Sequence, residues 1–269
     1  MASAILRKAW QGKWALVTGA SAGIGEAIAV ELAEAGVNLV LTARRRERLD
    51  ALAERLRTQY SIRAQVIVAD LTLPQAPQEI FDATEAAGRA VDLLVNNAGF
   101  GEYGEFLRSS LEMQVNMVQV NCAAVVHLTR LWIPAMVDRR RGAVLIVAST
   151  ASYQPVPYLA TYGATKAFDR MLAEALAEEV KRYGIRVSAL CPGPTESEFN
   201  HVAGERAGDR RKAQSASAVA RRGLEGLAGG KPWVIPYLAG RVQVFAQRFV
   251  PRRVVTSAVA RMFRPPNLK

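Results

Sequence analysis

Tyr162 and Lys166 stand four residues apart in Y-G-A-T-K, at the start of a helical pattern, and together they could move a proton at neutral pH. Side chains spaced by four share one face of a helix. A free phenol ionises only near pH ~10, but a neighbouring ammonium stabilises the phenolate and lowers that value. A drop of about three units corresponds to roughly 4 kcal/mol and requires a partly desolvated pair. Tyr162 would then hand a proton to a carbonyl oxygen, or take one from an alcohol. With seven tyrosines in 269 residues such a pair can arise by chance, so its surroundings decide. Ser149 precedes Tyr162 by thirteen residues, at the C-terminal end of a buried strand pattern, where open parallel sheets bind ligands. Its hydroxyl could hold a substrate oxygen. Thr150 and Ser152 compete for that role, and Ser149 could equally cap a turn.

The second chemical feature is T-G-A-S-A-G-I-G, residues 18–25, between the first strand pattern and a helix. Gly19, Gly23 and Gly25 would let the chain turn tightly and let the backbone around Ser21 and Ile24 approach a pyrophosphate. The helix start beyond them offers free N–H groups and partial positive charge to phosphate oxygens. The end of the second strand pattern discriminates between nicotinamide dinucleotides. NAD sites usually carry a carboxylate there for the ribose 2′-hydroxyl. This chain has Ala43, then Arg44, Arg45 and Arg46, with no carboxylate before Glu47. A guanidinium can meet a 2′-phosphate with two parallel charge-assisted hydrogen bonds, so Arg44 and Arg45 favour NADP(H) over NAD(H).

The elements that must hold these residues follow from the apolar pattern. Continuous short runs at Trp14–Thr18, Val37–Thr42, Ala64–Ala69, Val91–Val95, Ala143–Ala148, Ile185–Leu190 and Trp233–Ile235 read as strands covered on both faces. Helical stretches such as Glu26–Ala35, Arg46–Thr58 and Phe168–Tyr183 lie between them. This alternation predicts an α/β fold with one Rossmann-type, doubly wound parallel sheet. Half the residues are apolar, enough for one sizeable core. Cys122 and Cys191 have no metal-ligand or CxxC spacing, and His127 and His201 lie far apart, so neither a metal site nor a disulfide framework is expected. The N-terminal residues lack a sustained apolar run, and no charge-free stretch looks long enough to span a bilayer. The expectation is a soluble cytoplasmic protein.

In order along the chain, T-G-A-S-A-G-I-G, Asp70-Leu71, N-N-A-G at 96–99, Asn121, Ser149, Y-x-x-x-K at 162–166 and P-G-P-T at 192–195 resemble the motif set of the short-chain dehydrogenase/reductase family. The resemblance runs from about residue 12 to about residue 236. It implies seven strands in the order 3-2-1-4-5-6-7, with the cofactor at the switch between strands one and four. It implies that Ser149 orients the substrate oxygen, Tyr162 is the acid/base, Lys166 holds the nicotinamide ribose, and Asn121 anchors a water in a proton relay. Asp70 and Leu71 would lie by the adenine. Asn96, Asn97, Ala98 and Gly99 would line the cofactor floor, and Pro192, Gly193 and Thr195 would bracket the carboxamide. One departure is Ala22, where many NADP-using members carry a basic residue, so cofactor preference rests on Arg44 and Arg45. A dimer or tetramer is also implied. The partner would be a small-molecule carbonyl or alcohol substrate that the sequence does not name. Non-catalytic NADP-binding sensors share this fold, but they typically lose the tyrosine or the lysine.

Residues 1–236 thus read as the dinucleotide-binding and catalytic domain, with a substrate lid at about 196–215 in which Phe199 and His201 could face the substrate. Residues 237–269 read as a basic C-terminal extension. The net charge is +11, and Lys231–Lys269 alone holds eight Lys/Arg and no Asp or Glu. Tyr237–Arg264 reads as two short amphipathic helices split by Pro251. Leu238, Val242, Phe245 and Phe249 form one apolar stripe; Val255, Val259, Met262 and Phe263 form another. Such helices can lie peripherally on an anionic membrane. The sequence leans instead towards packing on the body or on another subunit. Nucleic-acid binding is not expected, because no stacking platform or recognised binding motif is present.

Overall fold

A computed structural model of the chain describes residues 3–196, 198, 203 and 213–265. Its strands are β1 (Trp14–Thr18), β2 (Asn38–Ala43), β3 (Ala64–Val68), β4 (Val91–Asn96), β5 (Gly142–Val147), β6 (Ile185–Leu190) and β7 (Trp233–Val234). Its helices are α1 (Ala4–Trp10), α2 (Gly23–Glu34), α3 (Arg46–Tyr60), α4 (Ala76–Asp82), α5 (Leu111–Val118), α6 (Ala124–Asp138), α7 (Ala160–Glu179), α8 (Ala216–Ala228), α9 (Leu238–Ala246) and α10 (Arg252–Phe263). All strands are parallel, in the order β3-β2-β1-β4-β5-β6-β7, as expected from the family resemblance.

Strand side chains alternate between two apolar cores, one on each face of the sheet. Val17, Leu39, Leu41, Leu93, Val95 and Leu145 join Leu32 of α2, Leu49 of α3 and Leu224 of α8 on one side. Leu16, Val40, Leu94, Val144 and Ile146 join Ile80 of α4, Trp132 of α6 and Ala173 of α7 on the other. Burial on both faces explains why the inner strands read as near-continuous apolar runs, whereas the edge strands β3 and β7 are only partly buried. Trp132 is fully buried and meets Phe81 edge-on, with ring centroids 5.0 Å apart.

Two helical features differ from the sequence reading. Helix α7 starts at Ala160, well before Phe168, so Tyr162 and Lys166 both lie inside its first two turns. A π-helical turn, Gln119–Ala123, joins α5 to α6, giving a helical run from Leu111 to Asp138. By length and composition alone that run could cross a bilayer, which the sequence reading did not anticipate. Leu128, Trp132 and Met136 on its inner face belong to the second core, so we read it as a core helix.

Strand order reverses at β1, whose neighbours are β2 and β4. The loops leaving β1 and β4 therefore run in opposite directions and open a crevice at the C-terminal edge of the sheet.

Candidate active site

Thr18 and Asn97 stitch the crevice floor together. The Thr18 hydroxyl donates to the Val95 carbonyl and accepts from the backbone N–H groups of Asn97 and Ala98, both at 2.9 Å. The Asn97 amide donates to the Thr18 carbonyl at 2.8 Å. These bonds lock the turn after β1 against the end of β4. Gly19 (φ +66°) and Gly23 (φ +59°) adopt left-handed backbone that side chains resist. A Cβ on Gly25 would overlap the Gly19 carbonyl oxygen and the Asn97 amide nitrogen. Gly25 therefore permits close helix packing and does not itself line the cleft. Helix α2 begins with no side-chain cap, so its first N–H groups remain available to an anion. This uncapped start and the glycine turn fit the pyrophosphate of a nicotinamide dinucleotide.

The cleft encloses about 1150 Å³ and contains most of the residues singled out in the sequence. Asn96 lies outside it, buried in β4 and donating to the Thr129 hydroxyl at 2.9 Å. Asp70 lines the cleft and accepts from both the N–H and the hydroxyl of Thr72. Arg44 and Arg45 both reach the cleft from the end of β2. Arg45 is engaged, donating to the Ser21 hydroxyl at 3.0 Å and pairing with Glu198 at 2.7 Å. Arg48 pairs with the same carboxylate. These two guanidiniums hold Glu198 below the usual carboxylate range. Glu198 was not singled out in the sequence, because no local signal joins residue 198 to residue 45. Phe199 and His201 lie outside the described residues, as does most of the segment expected to form a lid.

At the centre, Ser149, Tyr162 and Lys166 line the same cleft. Ser149 starts a short 3-10 turn, with its hydroxyl accepting from the Ala151 N–H, and the same hydroxyl lies near enough to the Tyr162 phenol to pull its pKa down. Thr150 lines the cleft, whereas Ser152 is buried outside it. Burial raises the Tyr162 pKa, Lys166 and Ser149 pull it down, and Asp169 pushes it up; the net direction is upward. Lys166 acts in the expected sense but does not by itself bring the phenol below its ordinary value. The Lys166 ammonium donates to the Val147 carbonyl at 2.8 Å and to Asp169 at 2.9 Å. Burial pushes its pKa down, and the negative charge of Asp169, together with Tyr162 and Cys122, outweighs that, so the net direction is upward. Asp169, three residues beyond the lysine, is a member of the constellation that the sequence reading missed.

Asn121 sits in the π-helical turn, behind the cleft wall. Its side chain accepts from the Phe100 N–H and donates to the Phe100 carbonyl and the Thr165 hydroxyl. It thereby fixes the loop after β4 against α7.

The far end of the cleft is apolar and owes much to the C-terminal extension. Val156, Leu159, Tyr237, Val259, Met262 and Phe263 contribute to its wall. Tyr237 packs so tightly on Gly193 and Gly240 that a Cβ on either glycine would overlap its ring. The Tyr103 hydroxyl donates to the Phe263 carbonyl at 3.0 Å, tying α10 to the rim. Of the second tail stripe, Val259 is buried on the body and Val255 and Phe263 are half-buried, in the direction the sequence leaned, whereas Met262 lines the cleft and stays 53% exposed. The first stripe does not pack inward: Leu238, Val242, Phe245 and Phe249 are all exposed.

A family model described as short chain dehydrogenase matches residues 13–208. The very-long-chain 3-oxoacyl-CoA reductase of Bos taurus is 35% identical over 189 residues, 68% of this chain and 59% of that protein. The chain thus spans less than two thirds of the length of the curated relatives it matches. Among solved structures, a short-chain dehydrogenase from Sphingobium yanoikuyae in complex with NADPH superposes with a TM-score of 0.81 at 30% identity, covering 91% of this chain and 95% of that one. A bulky-bulky ketone specific alcohol dehydrogenase from Comamonas testosteroni gives a TM-score of 0.76 at 29% identity, covering 91% and 94%.

Proposed function

Because the chain belongs to the short-chain dehydrogenase/reductase family, we propose that it is an NADP(H)-dependent oxidoreductase that interconverts a ketone or aldehyde with its alcohol. The observation that carries this reading is that Ser149, Tyr162, Lys166 and the glycine turn share one cleft. A bound nicotinamide dinucleotide would supply the hydride. The chain's residues would do the rest. Gly19, Gly23 and the start of α2 would hold the pyrophosphate, and Asp70 and Leu71, which line the cleft, would flank the adenine. Ser149 would hold the substrate oxygen beside Tyr162, which donates the phenolic proton as the carbonyl is reduced. Lys166, protonated and fixed by Asp169 and Val147, stabilises the phenolate left behind. Asn121 would act by positioning the loop after β4. The apolar wall would help to exclude water once a substrate lies against it.

Preference for NADP(H) rests on Arg44. It is exposed at the cleft edge and has no ion-pair partner among the described residues, whereas Arg45 is shared with Glu198. The bound NADPH of the Sphingobium yanoikuyae neighbour supports the same reading. The apolar cleft end, together with one relative named for very-long-chain 3-oxoacyl-CoA and a neighbour named for bulky ketones, points to a large apolar ketone.

We also assign the chain to a cytoplasmic setting and to a homo-oligomer. The outer faces of α5, α6 and α7 leave Leu111, Val115, Val118, Val126, Phe168 and Met171 exposed, a surface a second copy would cover.

The function is tested by following NADPH oxidation with 3-oxoacyl thioesters and bulky ketones of graded size. Turnover that rises with apolar bulk is expected. No turnover with any ketone, despite NADPH binding, would contradict the reading.

A further inference from the structure

The C-terminal extension has two faces with different fates. Its inner side is part of the cleft: Val259 is buried, and the Phe263 carbonyl is held by Tyr103. Its outer side carries an apolar stripe at helical spacing, with Leu238 72%, Val242 59%, Phe245 60% and Phe249 75% exposed. The Phe245 and Phe249 rings pack edge-on, 5.3 Å between centroids, and so form one wedge. Val250 and Val254 continue the exposed apolar surface into α10. A monomeric soluble protein rarely leaves such a contiguous patch uncovered.

Charge decides what covers it. Arg248, Arg252 and Arg253 are exposed beside the stripe and have no ion-pair partner among the described residues. Residues 231–269 contain no Asp or Glu side chain. A second copy meeting this face about a two-fold axis would oppose arginines to arginines, which is unfavourable. A nucleic acid would satisfy the arginines but leave the phenylalanine and valine side chains against a polar backbone. Aromatic and branched side chains flanked by unpaired arginines match an interface with acyl chains below and anionic headgroups around it.

We propose that α9 and α10 dock the protein on an anionic lipid bilayer through Leu238, Val242, Phe245 and Phe249, with Arg248, Arg252 and Arg253 on the headgroups. The same two helices wall the apolar end of the cleft, so an apolar substrate would reach Met262 and Phe263 directly from the lipid. That consequence rests on the oxidoreductase reading; the docking does not.

The test is co-sedimentation of the full chain with vesicles of phosphatidylcholine containing roughly one third phosphatidylglycerol, beside pure phosphatidylcholine. Binding to the anionic vesicles that weakens with salt is expected. Phe245→Asp/Phe249→Asp should reduce the bound fraction at least about tenfold. Arg252→Glu/Arg253→Glu should remove the preference for anionic over neutral lipid. Both variants should keep wild-type NADPH affinity and turnover on a water-soluble ketone, which shows that they fold. No vesicle binding by the wild type, equal binding by the phenylalanine variant, or self-association through this face in place of lipid binding would each overturn the proposal. Turnover without vesicle binding would leave the enzyme reading intact while removing the docking; vesicle binding without turnover would do the reverse.

Discussion

The ammonium of Lys166 lies 2.9 Å from the carboxylate of Asp169, and both side chains are buried. The proposed proton donor therefore faces a lysine whose charge is partly spent on a neighbour. Tyr162 feels Lys166 as a pull downward and Asp169 as a push upward. Cys122 lies close to the same pair, and burial, reinforced by Asp169, lifts its thiol to about 12, so it stays neutral. In alcohol oxidation the phenolate is the base, so the rate rises with pH through the Tyr162 pKa. Asp169→Asn removes the push while Lys166 keeps the Val147 carbonyl. With Lys166 still charged beside the phenolate, the midpoint of the kcat/KM profile for oxidation should move to lower pH. A midpoint that stays put would reduce Asp169 to a packing role.

Arg44 and Glu198 should affect cofactor choice in opposite directions. Arg44→Ala removes the guanidinium without an ion-pair partner and should weaken NADPH binding by roughly 10- to 100-fold, with NADH unchanged. Glu198→Gln releases Arg45 and Arg48 and should tighten NADPH binding a few-fold, because an exposed pair is worth only about 0–1 kcal/mol. Fluorescence titration with both dinucleotides measures this. Equal effects on NADH and NADPH would remove the argument for NADP.

Gly25→Ala places a methyl group against the Gly19 carbonyl and the Asn97 amide. The overlap involves backbone, so relief requires the glycine turn to move. We expect about 1–3 kcal/mol lower stability in urea unfolding, with weaker NADPH binding. Unchanged stability would mean that α2 can shift away from β4 at little cost.

Val115→Asp/Met171→Asp charges the exposed apolar surface of α5 and α7. Light scattering should show a wild-type oligomer and a variant monomer with an intact circular dichroism spectrum. A wild-type monomer, or an unaffected oligomer, would contradict this assignment.

Much of this was legible in the sequence because it is local. The inner strands announce themselves through doubly buried apolar runs, while the edge strands β3 and β7 are only partly buried; the glycine turn and the Tyr162–Lys166 spacing are likewise local in the chain. Relationships across the chain were not legible. Tyr237 against Gly193, Tyr103 against Phe263 and Glu198 against Arg45 join residues far apart in sequence, and nothing in the spacing pairs them. Asp169 is close in sequence, yet a charged residue on a helix ordinarily faces water, so its burial beside Lys166 needed coordinates. The tail stripes were visible, but their opposite fates depend on how Pro251 turns α10 back towards the cleft.

In the proposed reaction the Tyr162 phenol supplies the proton as a carbonyl is reduced. Single-turnover reduction of a saturating apolar ketone by NADPH-loaded protein, comparing wild type with Tyr162→Phe, tests it most directly. The rate should drop about 10²- to 10⁴-fold at unchanged NADPH affinity. Equal rates in the two proteins would show that the proton comes from elsewhere and would contradict it.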